Sequence, residues 1–296
     1  MSIPDVIVVG AATRDLTDLD PRGWFMGGGV TFSSLTLARL GLRVGVILGL
    51  DAEARGAREV EHLHRAGAEV IEVPIEKGPI FINDESGPYR VQTCMSTSSR
   101  LPVDALPADW RATKAWMMTP IASEIGEEWM DVPAPDACVG FAWQGELRVL
   151  ADGAVVRPRD PEPSAFLARA DLTGLSRFDI PHSFDLRTMA GWLKDEADVL
   201  LTAGMHGGLL LNYRDGRIAG GRLYPSVPSK QEVDPVGAGD TMLAGAMAAR
   251  IVGGSAARVR GHDLHVGAAT SSCLVEGPGI DSVPDLGQLR QRLRGS

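Results

Sequence analysis

Residues 234–240, Asp-Pro-Val-Gly-Ala-Gly-Asp, place glycines and a carboxylate directly before an apolar, alanine-rich stretch. The peptide N–H groups of Gly237, Ala238 and Gly239 can point at one place, because glycine lets the chain turn without an obstructing side chain. The helix predicted after them adds the partial positive charge of its N-terminus, so a phosphate could bind there. Asp240 could then accept a proton beside that phosphate. The same residues also fit an ordinary helix start, where an acid is favoured.

Transfer of a phosphoryl group to a hydroxyl needs a base, donors for the phosphoryl oxygens and a divalent cation on the donor phosphates. Asp240 and the amides at 237–239 would supply the first two within one turn. Other phosphate motifs are absent from the sequence: there is no G-x-x-x-x-G-K-[ST], and residues 10–15 do not form G-x-G-x-x-G. A Walker-type NTPase and a plain dinucleotide-binding domain are therefore disfavoured, and an oxidoreductase ranks well behind a kinase.

The elements that must position this loop alternate between strand and helix. The β-branched residues 5–10 predict a strand buried on both faces, residues 31–41 predict a helix closed by Gly41, and residues 43–50 predict the next strand. Further strands are predicted at 69–75, 114–121, 136–142, 170–176, 197–204 and 207–213. Residues 79–101 instead predict a hairpin around the turn sequence Asp-Glu-Ser-Gly-Pro. The whole pattern indicates a mostly parallel sheet with helices on both faces.

The composition is that of an ordinary folded protein, with 296 residues of which 44% are hydrophobic and 23% charged. The length by itself allows one or two domains, and a single α/β domain with a lid, over 1–296, is the one we expect. The net charge of −9 argues against nucleic acid or an anionic membrane as a partner. Cys94, Cys138 and Cys273 are too widely spaced to suggest a disulfide framework or a zinc site. Because the sequence has neither a basic secretory n-region nor an apolar run of about 18 residues, we expect a cytoplasmic protein.

Four segments of the sequence resemble, in order, the signatures of the ribokinase or PfkB carbohydrate kinases. Residues 27–41 resemble the early glycine signature, residues 44–56 the strand and aspartate after it, and residues 200–211 the T-x-G-x-x-G nucleotide segment. Residues 234–240 resemble the late signature D-T-x-G-A-G-D. The resemblance implies a three-layer ribokinase-like fold and an ATP- and Mg²⁺-dependent kinase of a small hydroxylated substrate, namely a sugar, cyclitol or nucleoside. It also implies a small β lid from about 14–26 and 79–101, through which a homodimer could form.

The same resemblance assigns roles to individual residues. It makes Asp240 the catalytic base and 237–239 the anion hole. Asp15 falls where the family binds acceptor hydroxyls, a task that suits a carboxylate because each can accept two hydroxyl hydrogen bonds. Gly27 and Gly28 match the paired glycines that let the acceptor approach the backbone. A turn or helix cap would also explain Asp15, and a tight turn would also explain the glycines.

Two further groups of residues are candidates for ligand contacts. Thr202, Gly204 and Gly207 match the nucleotide segment, although they also fit a strand-to-strand turn. Gln144 and Arg148 follow a predicted strand that should end at the active face, so they could reach the acceptor or the phosphates. Arg148 fits a surface ion pair equally well.

The sequence departs from the family pattern at several site positions. Phe32 stands where many sugar kinases of the family have an asparagine that binds the sugar, so we expect an acceptor with a flat or apolar face, such as a cyclitol or nucleoside. Ser176 and Asp179 replace the N-x-x-E pair that organises magnesium and phosphate, which makes Asp179 the metal candidate and Ser176 a phosphate candidate. Pro235 replaces a threonine near a monovalent-cation site, and potassium dependence is not predicted.

These departures support a second hypothesis, a ligand-binding or regulatory protein that kept the fold and lost catalysis. The intact Asp240 argues against it. The sequence leaves open the identity of the acceptor, the hydroxyl that is phosphorylated, and whether ATP or ADP is the donor.

Overall fold

The computed structural model describes residues 2–84 and 91–295. Its strands, in chain order, are β1 (Val6–Ala11), β2 (Thr13–Leu16), β3 (Trp24–Gly27), β4 (Val44–Leu50), β5 (Glu69–Pro74), β6 (Ile80–Asp84), β7 (Val91–Ser96), β8 (Ala115–Met118), β9 (Cys138–Ala142), β10 (Arg148–Val149), β11 (Ala154–Val155), β12 (Arg157–Pro158), β13 (Leu172–Ser176), β14 (Asp198–Thr202), β15 (Gly208–Arg214) and β16 (Arg217–Tyr224). The α-helices are α1 (Gly29–Arg39), α2 (Arg58–Arg65), α3 (Ala165–Arg169), α4 (Ala238–Arg260), α5 (His262–Leu274) and α6 (Leu286–Arg294). None of these described helices is both long and apolar enough to cross a membrane.

Within the described residues, the main sheet has nine strands in the order β16-β15-β14-β13-β9-β8-β1-β4-β5. The seven strands from β14 to β5 pair in parallel. β15 and β16 extend the sheet in antiparallel fashion. The predicted mostly parallel sheet is therefore confirmed, with an antiparallel edge that strand periodicity alone did not reveal.

The two faces of the main sheet are covered in different ways. One face packs against α1, α2, α4, α5 and α6, whose buried residues are mainly small or aliphatic. The other face is covered by α3 and by short 3-10 turns. Large aromatic side chains fill this second core, among them Trp110, Trp116, Trp129, Trp143, Phe141 and Phe166. Helices on both faces are thus confirmed, although bulky aromatic rings replace long helices over much of the second face.

Helix α1 is buried along nearly its whole length, from Gly29 to Ala38. A helix buried on all sides must be apolar or small all round, and its sequence satisfies this with glycine, serine, threonine and aliphatic residues. α1 packs against α4 as well as against β1 and β4. This packing brings the N-terminal ends of α1 and α4 together beside the sheet.

A smaller five-stranded sheet, in the order β11-β7-β6-β2-β3, contains strands from both segments predicted as a lid and also β11, which lies outside them. β6 and β7 are the antiparallel pair of the predicted hairpin. Its turn sequence falls largely at residues 85–90, outside the described residues. The other predicted lid segment, about 14–26, contributes β2 and β3, an antiparallel pair joined to β6.

Ion pairs attach the β2–β3 pair to the rest of the molecule. Arg22 forms ion pairs with Asp20, at 2.9 Å, and with Glu59 on α2, at 2.6 Å. Both carboxylates are almost fully buried, where an unpaired charge would be costly. Arg22 also lies over the ring of Trp24, 4.4 Å from its centroid. The small sheet is therefore fixed to α2 at its β3 edge.

Candidate active site

The candidate site lies at the carboxyl ends of the parallel strands. β1 is flanked by β4 and by β8, so the order of strands switches direction beside β1. Ligands of open α/β sheets bind in the crevice that such a switch creates. Residues that end or follow β1, β8, β9, β13 and β14 converge there around a cavity of about 370 Å³, the first cavity. Its lining includes Asp15, Phe32, Gln144, Arg148, Asp179 and Asp240.

Asp240 lies in the first turn of α4, where that helix meets α1. A Cβ on Gly29 would stand 2.8 Å from Asp240 Oδ1 and 3.1 Å from the Cβ of Thr119, so glycine is needed to admit the carboxylate. Burial raises the pKa of Asp240 to about 6, while Arg148 acts to lower it and Asp179 to raise it. A carboxylate of this pKa is mostly ionised at neutral pH and more basic than an exposed one, as a general base should be.

The loop before α4 contains the glycine that its backbone requires. Gly237 has φ 80°, in the left-handed region, and a Cβ there would overlap the ring of Phe32. The N–H of Ala238 donates to the carbonyl of Pro235 at 3.1 Å, so this amide is not directed at an anion as the sequence predicted. Gly239 is exposed, with open space where a Cβ would be. The loop therefore offers an anion the helix N-terminus and the Gly239 end of the turn.

Asp15 lies on β2 and lines the first cavity. The hydroxyl of Thr13 donates to its Oδ2 at 3.2 Å. Gly27 ends β3, where it pairs with Thr13. A Cβ on Gly27 would overlap the Asp15 carboxylate, which is a different reason for glycine from the one predicted. Gly28 has φ 90° and lines the cavity together with Gly29. Of the two predicted glycines, Gly28 lines the cavity and Gly27 does not.

Asp179 is held by its neighbours within the cavity wall. Its Oδ1 accepts from Gln144 Nε2 at 3.1 Å and its Oδ2 from the backbone N–H of Ser176 at 2.8 Å. The Ser176 hydroxyl in turn accepts from the N–H of Phe178 at 3.2 Å, which completes a capping box. The predicted metal residue and the predicted phosphate residue therefore form one structural unit with Gln144. Lone pairs remain on the carboxylate for a further contact.

A second cavity, of about 710 Å³, adjoins the first and is bounded by the segment that resembles the nucleotide motif. Thr202 and Gly204 line both cavities, and Gly207 lines the second. Gly207 has φ 79° and leaves no room for a Cβ beside the Tyr224 carbonyl. The segment is also the turn between β14 and β15, as the alternative interpretation of these residues predicted.

The C-terminal helix holds one wall of the second cavity. Arg292, on α6, donates to the carbonyl of Pro228 at 3.0 Å and to Glu276 at 2.6 Å. The same Glu276 oxygen accepts from the backbone N–H of Lys230 at 2.6 Å. Pro228 and Ser229 line the cavity between these two anchors. Arg292 thus positions the segment at Pro228 that lines the second cavity, although Arg292 itself does not line it.

Glu124 was not predicted as a site residue, yet it supports the first cavity. It is fully buried and accepts hydrogen bonds from the backbone N–H groups of Ala11, Ile121 and Ala122 at 2.8–3.2 Å. Burial raises its pKa. Ala11 ends β1 and Ile121 lines the cavity, so this carboxylate joins two segments of the cleft. No local pattern marks Glu124 as a site residue, because the contact that links the two segments is made to Ala11, far away in the chain.

Several residues that line the first cavity were also missed, among them Gly29, Phe81 and Gln92. Gly29 is the third glycine of the Gly-Gly-Gly sequence, and its position before a predicted helix could have identified it. Phe81 and Gln92 project from β6 and β7 into the first cavity. Only the fold shows which face of the hairpin turns inward.

The described residues contain no group of three or more His, Cys, Asp or Glu side chains that could hold a metal ion by themselves. Magnesium is commonly held by one or two carboxylates together with substrate phosphates. Asp179 and Asp240 both line the first cavity and are close enough for the charge of one to raise the pKa of the other. This donor set fits a magnesium ion that arrives with a phosphorylated ligand.

The sequence matches no protein-family model and no curated protein at a significant level. Among solved structures, the chain is similar to a pyrophosphate-dependent kinase of the ribokinase family complexed with a pyrophosphate analogue and myo-inositol, with TM-score 0.73, 19% identity and coverage of 98% of this chain and 100% of that one. An Arabidopsis thaliana ribokinase complexed with ribose and ATP gives TM-score 0.71 and 18% identity over all of both chains. A Methanocaldococcus jannaschii nucleoside kinase gives 0.70 and 14% over 99% of each. The chain therefore has the ribokinase-like fold.

Proposed function

We propose that the protein is a carbohydrate or polyol kinase of the PfkB type. It transfers a phosphoryl group from ATP to a hydroxyl of a small sugar, cyclitol or nucleoside. The ionised Asp240 carboxylate accepts the hydroxyl proton, Asp15 binds other hydroxyls of the acceptor, and the start of α4 at Gly239 stabilises charge on the transferred group. One observation carries this proposal: Asp240 lines a cavity that also holds Asp15 and borders on a helix N-terminus.

The second cavity supports a nucleotide as the donor. It adjoins the helix N-terminus at Gly239 and its volume of about 710 Å³ falls in the range of small-molecule sites. A pyrophosphate donor would need only the anion-binding end of the cleft. Assays with ATP, ADP and pyrophosphate in parallel decide the matter: turnover with ATP is expected, and turnover with pyrophosphate alone would contradict a nucleotide donor.

Magnesium, when bound with ATP, would neutralise charge on the donor phosphates. Asp179 and Asp240 are the carboxylates of this chain that line the site and could contact it or its water ligands. Gln144 and Ser176 orient Asp179 for that contact. The small sheet, through Phe81 and Gln92, covers the acceptor and excludes water that would otherwise receive the phosphoryl group.

The substitution Asp240→Asn tests the mechanism, because the amide keeps the shape and loses the basicity. We expect magnesium-dependent transfer from ATP to a panel of sugars, inositols and nucleosides to fall by about 10²- to 10⁴-fold in kcat. Asp109→Asn is the matched control, since Asp109 is exposed and lies in a turn outside the cleft. Unchanged turnover in the Asp240 variant would show that the proposed mechanism is wrong.

A ligand-binding or regulatory protein remains a second candidate, favoured by one observation. The carboxylate of Asp179, the metal candidate, is already hydrogen-bonded on both oxygens within the protein. Calorimetry and turnover measured on the same preparation separate the two functions. If a polyol or nucleoside binds but the wild-type protein transfers nothing in the presence of MgATP, the binding function is correct.

We also propose a homodimer formed through the outer face of the small sheet. Ile82 and Val155 both pair with Thr93, so the three side chains share one face, and the first two are 37% and 53% exposed. Apolar side chains grouped on an exposed sheet face are candidates for an interface. Light scattering is expected to give a dimer that Ile82→Glu dissociates, whereas Val252→Glu, on the exposed side of α4, leaves it intact.

A further inference from the structure

We infer, on the basis of the proposed kinase function, that the acceptor carries no negative charge. The site would then phosphorylate a neutral polyol or nucleoside and reject sugar phosphates and sugar acids. The inference follows from the balance of positive and negative side chains around the first cavity.

The described lining of the first cavity contains three carboxylates and one guanidinium. The acids are Asp15, Asp179 and Asp240, and the base is Arg148. A bound anion would therefore face an excess of negative charge in a partly enclosed cleft, where repulsion is screened less than in water. Hydroxyl groups, in contrast, can donate to each of these carboxylates.

The other described cations on segments bordering the cavity are engaged elsewhere. Arg14 precedes the acceptor-binding aspartate, but its guanidinium forms ion pairs with two acids on the segment after β4, at 2.8 and 2.5 Å. Lys77, before β6, is paired with Asp152. Arg177 donates to the carbonyl of Ile180 at 3.0 Å. None of these three is positioned to neutralise an anionic acceptor.

Arg148 cannot neutralise an anionic acceptor without weakening its interaction with Asp240. Its charge stabilises the ionised form of Asp240, since it acts to lower the pKa of that carboxyl. The donor phosphates would also arrive at the same end of the cleft, beside Gly239. A phosphate or carboxylate on the acceptor would compete with both groups for one guanidinium.

The remaining lining suits a neutral ring. Phe32 and Phe81 supply apolar surface, and Asp15, Gln92 and Gln144 supply hydrogen-bonding groups. A cyclitol, a sugar or a nucleoside has both an apolar face and a hydroxylated edge. The cavity therefore recognises its ligand by hydroxyl donors and ring packing rather than by ionic pairing.

Matched pairs of acceptors test the inference: ribose and ribose 5-phosphate, myo-inositol and myo-inositol 1-phosphate, adenosine and AMP, each with MgATP. For every pair that includes a substrate, we expect the neutral member to have a kcat/KM at least about 100-fold higher, because like charges at a binding site are strongly disfavoured. A phosphorylated member used as well as its neutral parent would overturn the inference and leave the kinase function standing.

A pair of variants tests the electrostatic cause. Gln92→Arg adds a cation to the cavity wall and is expected to reduce the preference for the neutral member by about tenfold. Gln92→Leu is the matched control, because it removes the same amide without adding charge and should keep the preference. An equal effect of both variants would contradict an electrostatic origin.

Binding measured by calorimetry without a donor separates this inference from the proposed function. If neutral members bind, anionic members do not, and no phosphoryl transfer occurs, the inference holds and the kinase function fails. If anionic members bind as tightly as neutral ones, the inference fails. If no member of any pair binds, the cavity is not a polyol site and both fail.

Discussion

The two cavities of the cleft differ in how their walls are built. The first cavity is lined by individually placed side chains, with carboxylates, amides and aromatic rings drawn from both sheets and from α1 and α4. The second cavity is lined mainly by small residues, serines and turns of the backbone. The difference indicates that the first cavity depends on exact side-chain contacts, whereas the second depends on where loops are held.

The supports of the two cavities follow the same division. Beneath the first cavity, Glu124 accepts hydrogen bonds from the backbone N–H groups of two segments, and Gly29 leaves space for Asp240. Beside the second, Arg292 and Glu276 hold a loop by its backbone. A small displacement should therefore damage the first cavity more than the second.

Among substitutions at the supports of the two cavities, the largest effect should come from Gly29→Ala. The added Cβ would lie 2.8 Å from Asp240 Oδ1, so the carboxylate must move. We expect kcat to fall about 100-fold, because displacements of the order of 1 Å can cost that much. The measurement is steady-state turnover with MgATP, with circular dichroism to show that the fold is kept.

The control for this variant is Gly220→Ala on β16, where open space surrounds the new Cβ. It should leave kcat within about twofold, as expected for a surface substitution away from special contacts. Full activity of Gly29→Ala would show that the position of Asp240 is not critical.

The next effect concerns pH. Only the ionised Asp240 accepts a proton, and burial raises its pKa to about 6. The acceptor kcat/KM should therefore fall on the acid side of that pKa, by about tenfold per pH unit. A pH–rate profile between pH 4.5 and 8 in steps of roughly half a unit resolves this limb. A flat profile would contradict Asp240 as the base.

Two variants should move this limb in opposite directions. Arg148→Gln removes a charge that lowers the pKa of Asp240, so the pH at which the pH–rate profile inflects should rise. Asp179→Asn removes a charge that raises the pKa of Asp240, so the pH of the inflection should fall. Shifts in the same direction would show that these charges do not act on Asp240 as the structure indicates.

The smallest effect should come from Arg292→Ala. Loss of the hydrogen bonds to Pro228 and Glu276 loosens a wall of the second cavity, and we expect the KM for ATP to rise roughly threefold to tenfold. The KM of the acceptor should not change. Arg294→Ala, an exposed arginine of the same helix, is the matched control. A larger effect on the acceptor than on ATP would contradict the separation of the two cavities.

Much of the fold could be predicted from the sequence because its signals are local. The β-branched runs became β1 and β4, and the glycine-rich segment before residue 31 became the start of α1. A strand was predicted at β15, but its antiparallel pairing and its partner β16 were not, and the lid prediction did not give the bounds of β2 and β3. These features depend on which neighbouring strands pair.

For the candidate site, the sequence by itself determined which residues could do chemistry: a carboxylate after a glycine-rich turn, and further polar side chains after predicted strands. Only the tertiary structure decided how they are used. It showed that Gly27 accommodates Asp15, that Gly237 accommodates Phe32, and that the Ala238 amide is already bonded. The physical reason is that glycine signatures and strand patterns arise within a few residues, whereas clearance, burial and a shifted pKa arise from contacts between segments far apart in the chain.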